Sequence, residues 1–279
     1  MPEGTRKRER SGKDPTPGKM SRRPARPTRV LAVDIGNSET VVGLLEGRSV
    51  KAFWRLTSGR LTADEAGLTL DVLLERRGER GSTGAVLCSV APSLTLAWAT
   101  ALERAVGRPP VEVSAATASS LPIRYHDRTA VGADRIANAV AARSLYGTPA
   151  IVVDLGTATT FDCVSRQGAY LGGAIAPGVA ASAEVLFQRA ARLPRVELRR
   201  PVRALGRTTE ESLRAGVLWG AAGQVDALVR RLALEMKGTP HVIATGGFAG
   251  LVASECETIN VVDEVLTLKG MALLWEENT

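Results

Sequence analysis

Apolar and polar positions along the chain fall into one pattern that is written twice. Leu31-Ala32-Val33-Asp34-Ile35-Gly36 is an apolar run of strand length ending in Asp-x-Gly, followed by the polar turn Asn37-Ser38-Glu39-Thr40 and a second apolar run, Val41-Val42-Gly43-Leu44-Leu45. Some 120 residues on, Ile151-Val152-Val153-Asp154-Leu155-Gly156 leads through Thr157-Ala158-Thr159-Thr160 into Phe161-Asp162-Cys163-Val164. Each stretch predicts a β-hairpin. Laid over one another they put Asp34 on Asp154, Gly36 on Gly156 and Thr40 on Thr160.

The segments that follow predict helices and further strands. Thr62-Ala63-Asp64-Glu65 has the spacing of a capping box, and Leu68, Val72 and Leu73 supply an apolar face up to Arg77-Gly78. Ala85–Val90 reads as a strand. Pro92 opens a helix that carries Leu96, Leu102 and Val106 and closes at Gly107, and Val111–Val113 is a short further strand. After Tyr146-Gly147-Thr148-Pro149 the same plan begins again, with a long helix from near Thr208 to Lys237-Gly238 and a strand at His241–Ala244. Hairpin, helix, strand, helix, strand signals an α/β fold with a mixed sheet and packed helices. Two such halves facing each other leave a cleft between their Asp-bearing turns.

Charge changes the picture at one end only. Residues 1–29 hold ten Lys/Arg and three Asp/Glu, which accounts for the whole net charge of +7; the remaining 250 carry 26 of each sign. A tail so poor in large apolar side chains cannot offset its ordering entropy, so 1–29 is expected to be disordered, with lobes at 30–148 and 149–279. Arg22-Arg23 lacks the apolar stretch a twin-arginine signal needs, and no run approaches a membrane span. A cytoplasmic protein without membrane contact is expected. Cys88, Cys163 and Cys256 are too far apart for metal-ligand spacing and are read as buried free thiols. His126 and His241 have no ligand-spaced partner and are read as structural or surface residues.

The repeated turns carry the candidate chemistry. Polyphosphate needs backbone N–H groups and hydroxyls at close range, which Gly-containing turns provide. A carboxylate at the strand end repels phosphate unless a cation lies between them, so Asp34 and Asp154 predict a metal-bridged nucleotide; two ordinary hairpins are the plainer alternative. Gly132-Ala133-Asp134-Arg135 opens a helix containing Ile136 and Val140. There Asp134 is either a cap or dipole partner or a general base that orients a hydroxyl, with Arg135 pairing an acidic group of the substrate. The helix N-terminus is expected to lower the Asp134 pKa. Gly216, Gly220 and Gly223 share one face of the long helix, which implies close approach by a second helix of this chain or of a partner subunit.

Asp34-Ile35-Gly36-Asn37-Ser38-Glu39-Thr40, the Gly132–Arg135 tetrad, Asp154-Leu155-Gly156-Thr157-Ala158-Thr159-Thr160, Gly172-Gly173-Ala174-Ile175-Ala176-Pro177-Gly178 and Ala244-Thr245-Gly246-Gly247 together resemble type III pantothenate kinase, from about residue 30 to the C-terminus. The resemblance implies two duplicated ribonuclease-H-like domains, like those of sugar kinases, actin and heat-shock ATPases, around a nucleotide cleft. It implies ATP-dependent phosphorylation of pantothenate to 4′-phosphopantothenate, the first step toward coenzyme A, by a homodimer using Mg2+ or another divalent cation and K+ or NH4+. By that likeness, Asp34, Ile35, Gly36, Asn37, Ser38, Glu39, Thr40 and Val41 hold the ATP phosphates with Thr157, and Asp154 holds the monovalent cation. Asp134 is the proton acceptor, and Tyr125, Gly132, Ala133, Arg135 and Thr209 line the pantothenate site. Thr209 could equally be a helix cap, and Gly246-Gly247 could approach adenine or form a plain turn.

Two features depart from the family pattern: Ser38 stands where the family usually has Thr, and the basic tail has no counterpart. A kinase of the same fold acting on another small hydroxylated acceptor is one alternative. The other is a transcriptional accessory factor using the tail, although no nucleic-acid partner is expected, because Asp34, Asp134, Arg135 and Asp154 are all present.

Overall fold

The computed structural model describes residues 28–79, 81–189 and 193–279. The disorder expected over 1–29 lies outside the described residues as far as position 27; Arg29 already belongs to the first strand, where it pairs with Glu79 at 2.5 Å. The first half runs β1 (Arg29–Ile35), β2 (Glu39–Glu46), β3 (Ser49–Thr57), α1 (Ala63–Glu75), β4 (Gly84–Ser89), α2 (Pro92–Val106), β5 (Val111–Glu112) and α3 (Ala133–Ala141), which continues as a π-helical turn over Ala142–Tyr146. The second runs β6 (Ala150–Leu155), β7 (Ala158–Val164), β8 (Tyr170–Pro177), α4 (Val179–Arg189), α5 (Thr209–Met236), β9 (His241–Thr245), α6 (Ala249–Val252), β10 (Val261–Val262) and α7 (Leu266–Glu277).

The sheet orders are β3-β2-β1-β4-β5 and β8-β7-β6-β9-β10. These are one topology used twice: three antiparallel strands, then two strands joined in parallel through helical crossovers. Both expected hairpins are present, each extended by a third strand, β3 or β8, that the sequence reading did not single out.

Capping and stop signals fall where the sequence puts them. Thr62 and Glu65 form the reciprocal capping box of α1, Gly107 ends α2 with a left-handed backbone, and Thr208 caps α5. Thr209 is therefore the first helical residue and not a cap. The apolar faces of α1 and α2 need correction. Leu68 is 65% and Leu96 78% exposed, and Val72 is exposed as well. Ala66 and Leu70, and Leu94, Trp98, Ala101 and Leu102, are the residues that enter the core. On these amphipathic helices small Ala positions define the buried stripe, so counting only large side chains rotates the expected face. Cys88 and Cys163 are buried as expected, while Cys256 is only partly so.

Three apolar cores follow from this arrangement. α1 and α2 cover one face of the first sheet, burying Leu31, Val33 and Leu87. α4, α5 and α6 cover the outer face of the second, burying Ile151, Val153 and Phe161. Between the inner faces of both sheets lie α3 and α7, which join Ala32, Val86, Val152 and Ile243 into one continuous core. α7 belongs to the second half of the chain, yet it packs on β1 and β4 of the first.

The α3–α7 crossing is tight. A Cβ on Gly270 would stand 2.0 Å from the Ala137 carbonyl oxygen, so this crossing admits only glycine. Gly67, inside α1, has nothing within 4 Å of its Cβ position. Gly270→Ala is expected to lower the unfolding free energy by about 1–3 kcal/mol through overpacking, and Gly67→Ala to raise it by about 0.5–1 kcal/mol through helix propensity. Urea denaturation of the two variants reads both signs.

Candidate active site

The two hairpins present their aspartates to one cavity because of strand register. Asp34 lies opposite Val41, and Asp154 opposite Thr160. The turns differ in length, which corrects the sequence overlay: Ile35 pairs with Thr40 across residues 36–39, whereas Leu155 pairs with Thr159 across the shorter 156–158. Thr40 therefore corresponds to Thr159, not Thr160. Since side chains alternate between faces, that one-residue slip reverses their direction. Thr40 and Thr159 are both buried, while Thr160 borders the cavity. Thr40 shares a hydrogen bond with Ser58 at 2.8 Å, and Ser58 donates to the Gly36 carbonyl at 2.7 Å, so this hydroxyl pair braces the turn from behind.

Of the residues singled out in the sequence, Asp34, Gly36, Asn37, Glu39, Val41, Asp134, Asp154 and Thr157 border this cavity of about 270 Å³. Ile35 is fully buried beneath it, and Ser38 is exposed at the turn. Asp134 enters from the first turn of α3, its Oδ1 accepting the Arg135 N–H at 2.7 Å. One turn further along α3, Asn138 donates from Nδ2 to Asp154 Oδ2 at 3.1 Å and accepts from Thr267 of α7 at 2.9 Å. The α3–α7 pair thus fixes Asp134 and Asp154 together.

The remaining candidates lie beside or away from the cavity. Gly132 is the N-cap residue of α3, and Ala133 is buried behind it. Arg135 turns inward: its Nε pairs with Asp162 at 2.7 Å, its Nη2 donates to the Phe161 carbonyl, and its guanidinium stands over the Tyr170 ring. Arg135 is thus not wholly free for a substrate carboxylate: one N–H is held by Asp162 and one by the Phe161 carbonyl. Tyr125 lies 6.4 Å from Tyr170, with its ring edge against Gly172, so it forms the outer wall of the same polar cluster.

Thr209 lies elsewhere within one chain. It borders a groove of about 420 Å³ with Val179, Leu186, Leu213, Gly216 and Gly220. That groove is larger than the Asp cavity but has no titratable side chain on its wall, so acid–base chemistry belongs to the smaller one. His126 is exposed and His241 stacks on Tyr146, both as expected.

Burial sets the electrostatics. It lifts the Asp34 carboxyl to about 7, helped by the charges of Asp134, Asp154 and Glu39 and opposed by a hydrogen bond from Cys88. Asp154 is likewise raised to about 7, first by burial and then by Asp134, with the Asn138 hydrogen bond opposing. Asp162 rises to about 6 despite the Arg135 pair. Asp134 is also raised, because desolvation outweighs its hydrogen bond and the Arg135 charge. This overturns the expected lowering by the helix N-terminus and makes Asp134 a better proton acceptor than an exposed carboxylate.

Sequence reasoning missed Arg55, Asn138, Asp162 and Thr267. Asn138 had a readable signal, since it stands four residues after Asp134 on a helix. Arg55 lies on β3, which was not read as a strand. Gly246 has a firmer role than a plain turn: its φ is +92°, and a Cβ there would lie 2.4 Å from Asp154 Oδ1.

Two lobes of one topology, with paired Asp-bearing hairpins facing each other over a helix-borne carboxylate, define the actin-like, ribonuclease-H-like phosphotransferase fold. The model of the family described as type III pantothenate kinase matches residues 30–231. A type III pantothenate kinase of Moorella thermoacetica is 46% identical over 253 residues, 90% of this chain and 100% of that protein. Among solved structures, the activator of 2-hydroxyisocaproyl-CoA dehydratase from Clostridium difficile superposes with a TM-score of 0.54 at 15% identity, covering 90% of this chain and 95% of that one. A Baf-family protein of Campylobacter jejuni named as a transcriptional activator gives 0.53 at 22% identity, covering 89% and 98%. The chain belongs to the type III pantothenate kinase family.

The raised carboxyls carry a signed pH dependence. A folded-state pKa above the unfolded value of 3.8 means that the folded protein holds the extra proton, so stability falls as pH rises from about 4 to about 7 and stays low beyond. Asp34→Asn removes its share of that penalty. In chelator-containing buffer the variant is expected to be about 1–3 kcal/mol more stable than the parent at pH 8, with the difference fading near pH 4. Urea denaturation at a series of pH values measures it.

Proposed function

We infer that the chain phosphorylates pantothenate with ATP to give 4′-phosphopantothenate. The observation that carries this reading is the meeting of Asp34 and Asp154, from matched hairpins, with Asp134 from α3 around one cavity, in a chain of this family. Both turns border the cavity at Gly36 and Gly156, whose own N–H groups close the turns onto the Glu39 and Ala158 carbonyls, and Asn37 and Thr157 are side-chain donors for phosphate oxygens. Gly246-Gly247 line the same cavity, against Asp154 and Arg55.

The acidic wall fits cations, since carboxyls raised by burial and by neighbouring carboxylates gain most from a nearby positive charge and are oxygen ligands for hard ions. Among the described residues no three or more His, Cys, Asp or Glu side chains are grouped to hold a metal by themselves. A divalent ion here would therefore share its ligands with the nucleotide: Asp34 is the carboxylate for it, and Asp154, fixed by Asn138, is the one for potassium or ammonium. When bound, such ions neutralise charge on the transferring phosphoryl group.

The chain's own residues supply position and proton transfer. Asp134, pre-oriented by the Arg135 N–H and raised in basicity by burial, orients the primary hydroxyl of pantothenate toward the terminal phosphorus and accepts its proton. Arg135, locked by Asp162, presents its remaining N–H groups and the Tyr125–Tyr170 wall to the rest of the acceptor.

A homodimer suits the uncovered face of the second lobe. Among the described residues nothing lies within 4 Å of Cβ positions on Gly216, Gly220 or Gly223, so no described helix of this chain is the close neighbour those glycines imply. Leu186 of α4, an exposed apolar side chain, borders the same groove as Gly216 and Gly220. A second copy docking there is also the route by which Thr209 would reach a pantothenate site, that of the partner.

A phosphorylation assay with ATP, magnesium and pantothenate tests the reaction: activity is expected with potassium and loss without it, while turnover of hexoses in place of pantothenate would refute the substrate. Asp134→Asn should lower kcat by about 10²–10⁴ with nucleotide binding retained; a kcat near that of the parent removes the assigned role. Gly220→Leu should convert a dimer into a monomer in sedimentation velocity at micromolar concentration, and a monomeric parent chain would end the dimer reading.

A further inference from the structure

The cavity has five carboxylates on its wall, Asp34, Glu39, Asp134, Asp154 and Glu264, and a single Lys or Arg, Arg55. That imbalance makes the position of Arg55 informative. Asp34 pairs with Val41 and Val41 pairs with Arg55, so the three side chains stand in a row across β1, β2 and β3 on the face that looks into the cavity. Glu39, two residues before Val41, is the diagonal neighbour of Arg55 on that same face, and the two are joined at 2.5 Å.

The guanidinium also reaches the other lobe. A Cβ on Gly247 would lie 3.9 Å from Arg55 Nη1, and the Arg55 charge is felt at Asp154. One side chain thus touches the turn after β9 while its strand belongs to the first sheet. Arg55 is partly exposed; its guanidinium stands over the Phe53 ring and its one ion-pair partner among the described residues is the partly exposed Glu39, which a more highly charged group can replace.

We propose that Arg55 is a phosphate-binding residue of the reaction: on nucleotide entry its guanidinium leaves Glu39 and binds the β,γ end of the triphosphate between the two hairpin turns. This rests on the reading of the cavity as a nucleotide site. A guanidinium fork matches two phosphate oxygens and outbids a single carboxylate, because a polyphosphate carries more than one negative charge. Glu39 then acts as the resting partner that holds the side chain over the cavity when no nucleotide is there. Because Arg55 also borders Gly247, its transfer links occupancy of the first lobe's turn to the approach of the second.

Calorimetric titration of the full chain with ATP, ADP and AMP in magnesium, together with steady-state kinetics, tests the proposal. Arg55→Gln is expected to weaken ATP and ADP binding about tenfold or more and to lower kcat, while AMP binding changes less than twofold. Arg55→Lys should recover part of the loss, since charge survives but the fork does not. Glu39→Gln, by releasing Arg55, should tighten ATP binding. Unchanged ATP affinity and kcat in Arg55→Gln, or an equal loss for ATP and AMP, overturns the assignment. If Arg55→Gln does not fold, unchanged or weaker ATP binding in Glu39→Gln overturns it instead. The parent chain separates this from the pantothenate reading: if it discriminates ATP from AMP through Arg55 yet leaves pantothenate untouched, only the substrate assignment falls. If it phosphorylates pantothenate and Arg55→Gln shows no ATP-specific loss, only the present proposal falls.

Discussion

The structure depends on an unneutralised charge: three aspartates from three different elements are held around one cavity with a single arginine on its wall. Folding alone would not favour this. Burial lifts Asp34 and Asp154 to about 7, so each ionises only near neutral pH and against the preference of its surroundings. Any cation that binds this cavity in the folded chain and not in the unfolded one would stabilise the fold, which makes ligand binding and local stability one problem. Everything around the cavity serves to prevent relaxation. Ser58 and Thr40 brace the first turn, Gly246 lets the backbone lie against Asp154, and Asn138 and Thr267 tie that carboxylate to the α3–α7 crossing.

That crossing explains why the two lobes cannot be considered apart. The inter-sheet core is built by α3 from the first half and α7 from the second, and α7 lies on the strands of the first sheet. Asp134 therefore sits on a helix that contacts strands of both lobes, β4 and β7. A small rotation of one sheet against the other would move Asp134 relative to Asp34 and Asp154 through a packed interface, and packed interfaces shift between discrete arrangements more readily than they deform. In this architecture Asp134 is placed by the same contacts that join the lobes.

Much of this was legible in the residues and some of it was not, for physical reasons. Hairpin positions, caps and the long α5 follow from local rules: Asp-x-Gly turns, the Thr62–Glu65 box, Gly107 and Thr208. The register across the turn did not follow. A duplicated motif suggested that Thr40 and Thr160 are equivalent, but a turn shorter by one residue makes Thr159 the match, and strand alternation converts a slip of one into the opposite face. The Asp134 pKa was misjudged because the helix N-terminus is visible in sequence while desolvation is a property of the assembled cavity. Arg135 looked like a free cation because its partner, Asp162, is 27 residues away on another strand.

The duplication itself has diverged along the row that matters. In the first sheet the cross-strand row reads Cys88, Asp34, Val41, Arg55; in the second it reads Thr245, Asp154, Thr160, Ile175. The aspartates are common to both, so each lobe offers a carboxylate for a cation. The flanking positions divide the labour. The first lobe ends its row in a guanidinium over the cavity, and the second ends it in an exposed isoleucine on an edge strand. An arginine at both positions would bring positive charge from two sides and neutralise the acidic wall without any ion, removing the need for bound cations. An apolar residue at both would leave the polyanion no direct protein charge. One of each leaves the wall acidic with a single guanidinium at the first sheet's end of the row and an exposed isoleucine at the second's, so among the described residues the two lobes give the cavity equal acid but unequal base.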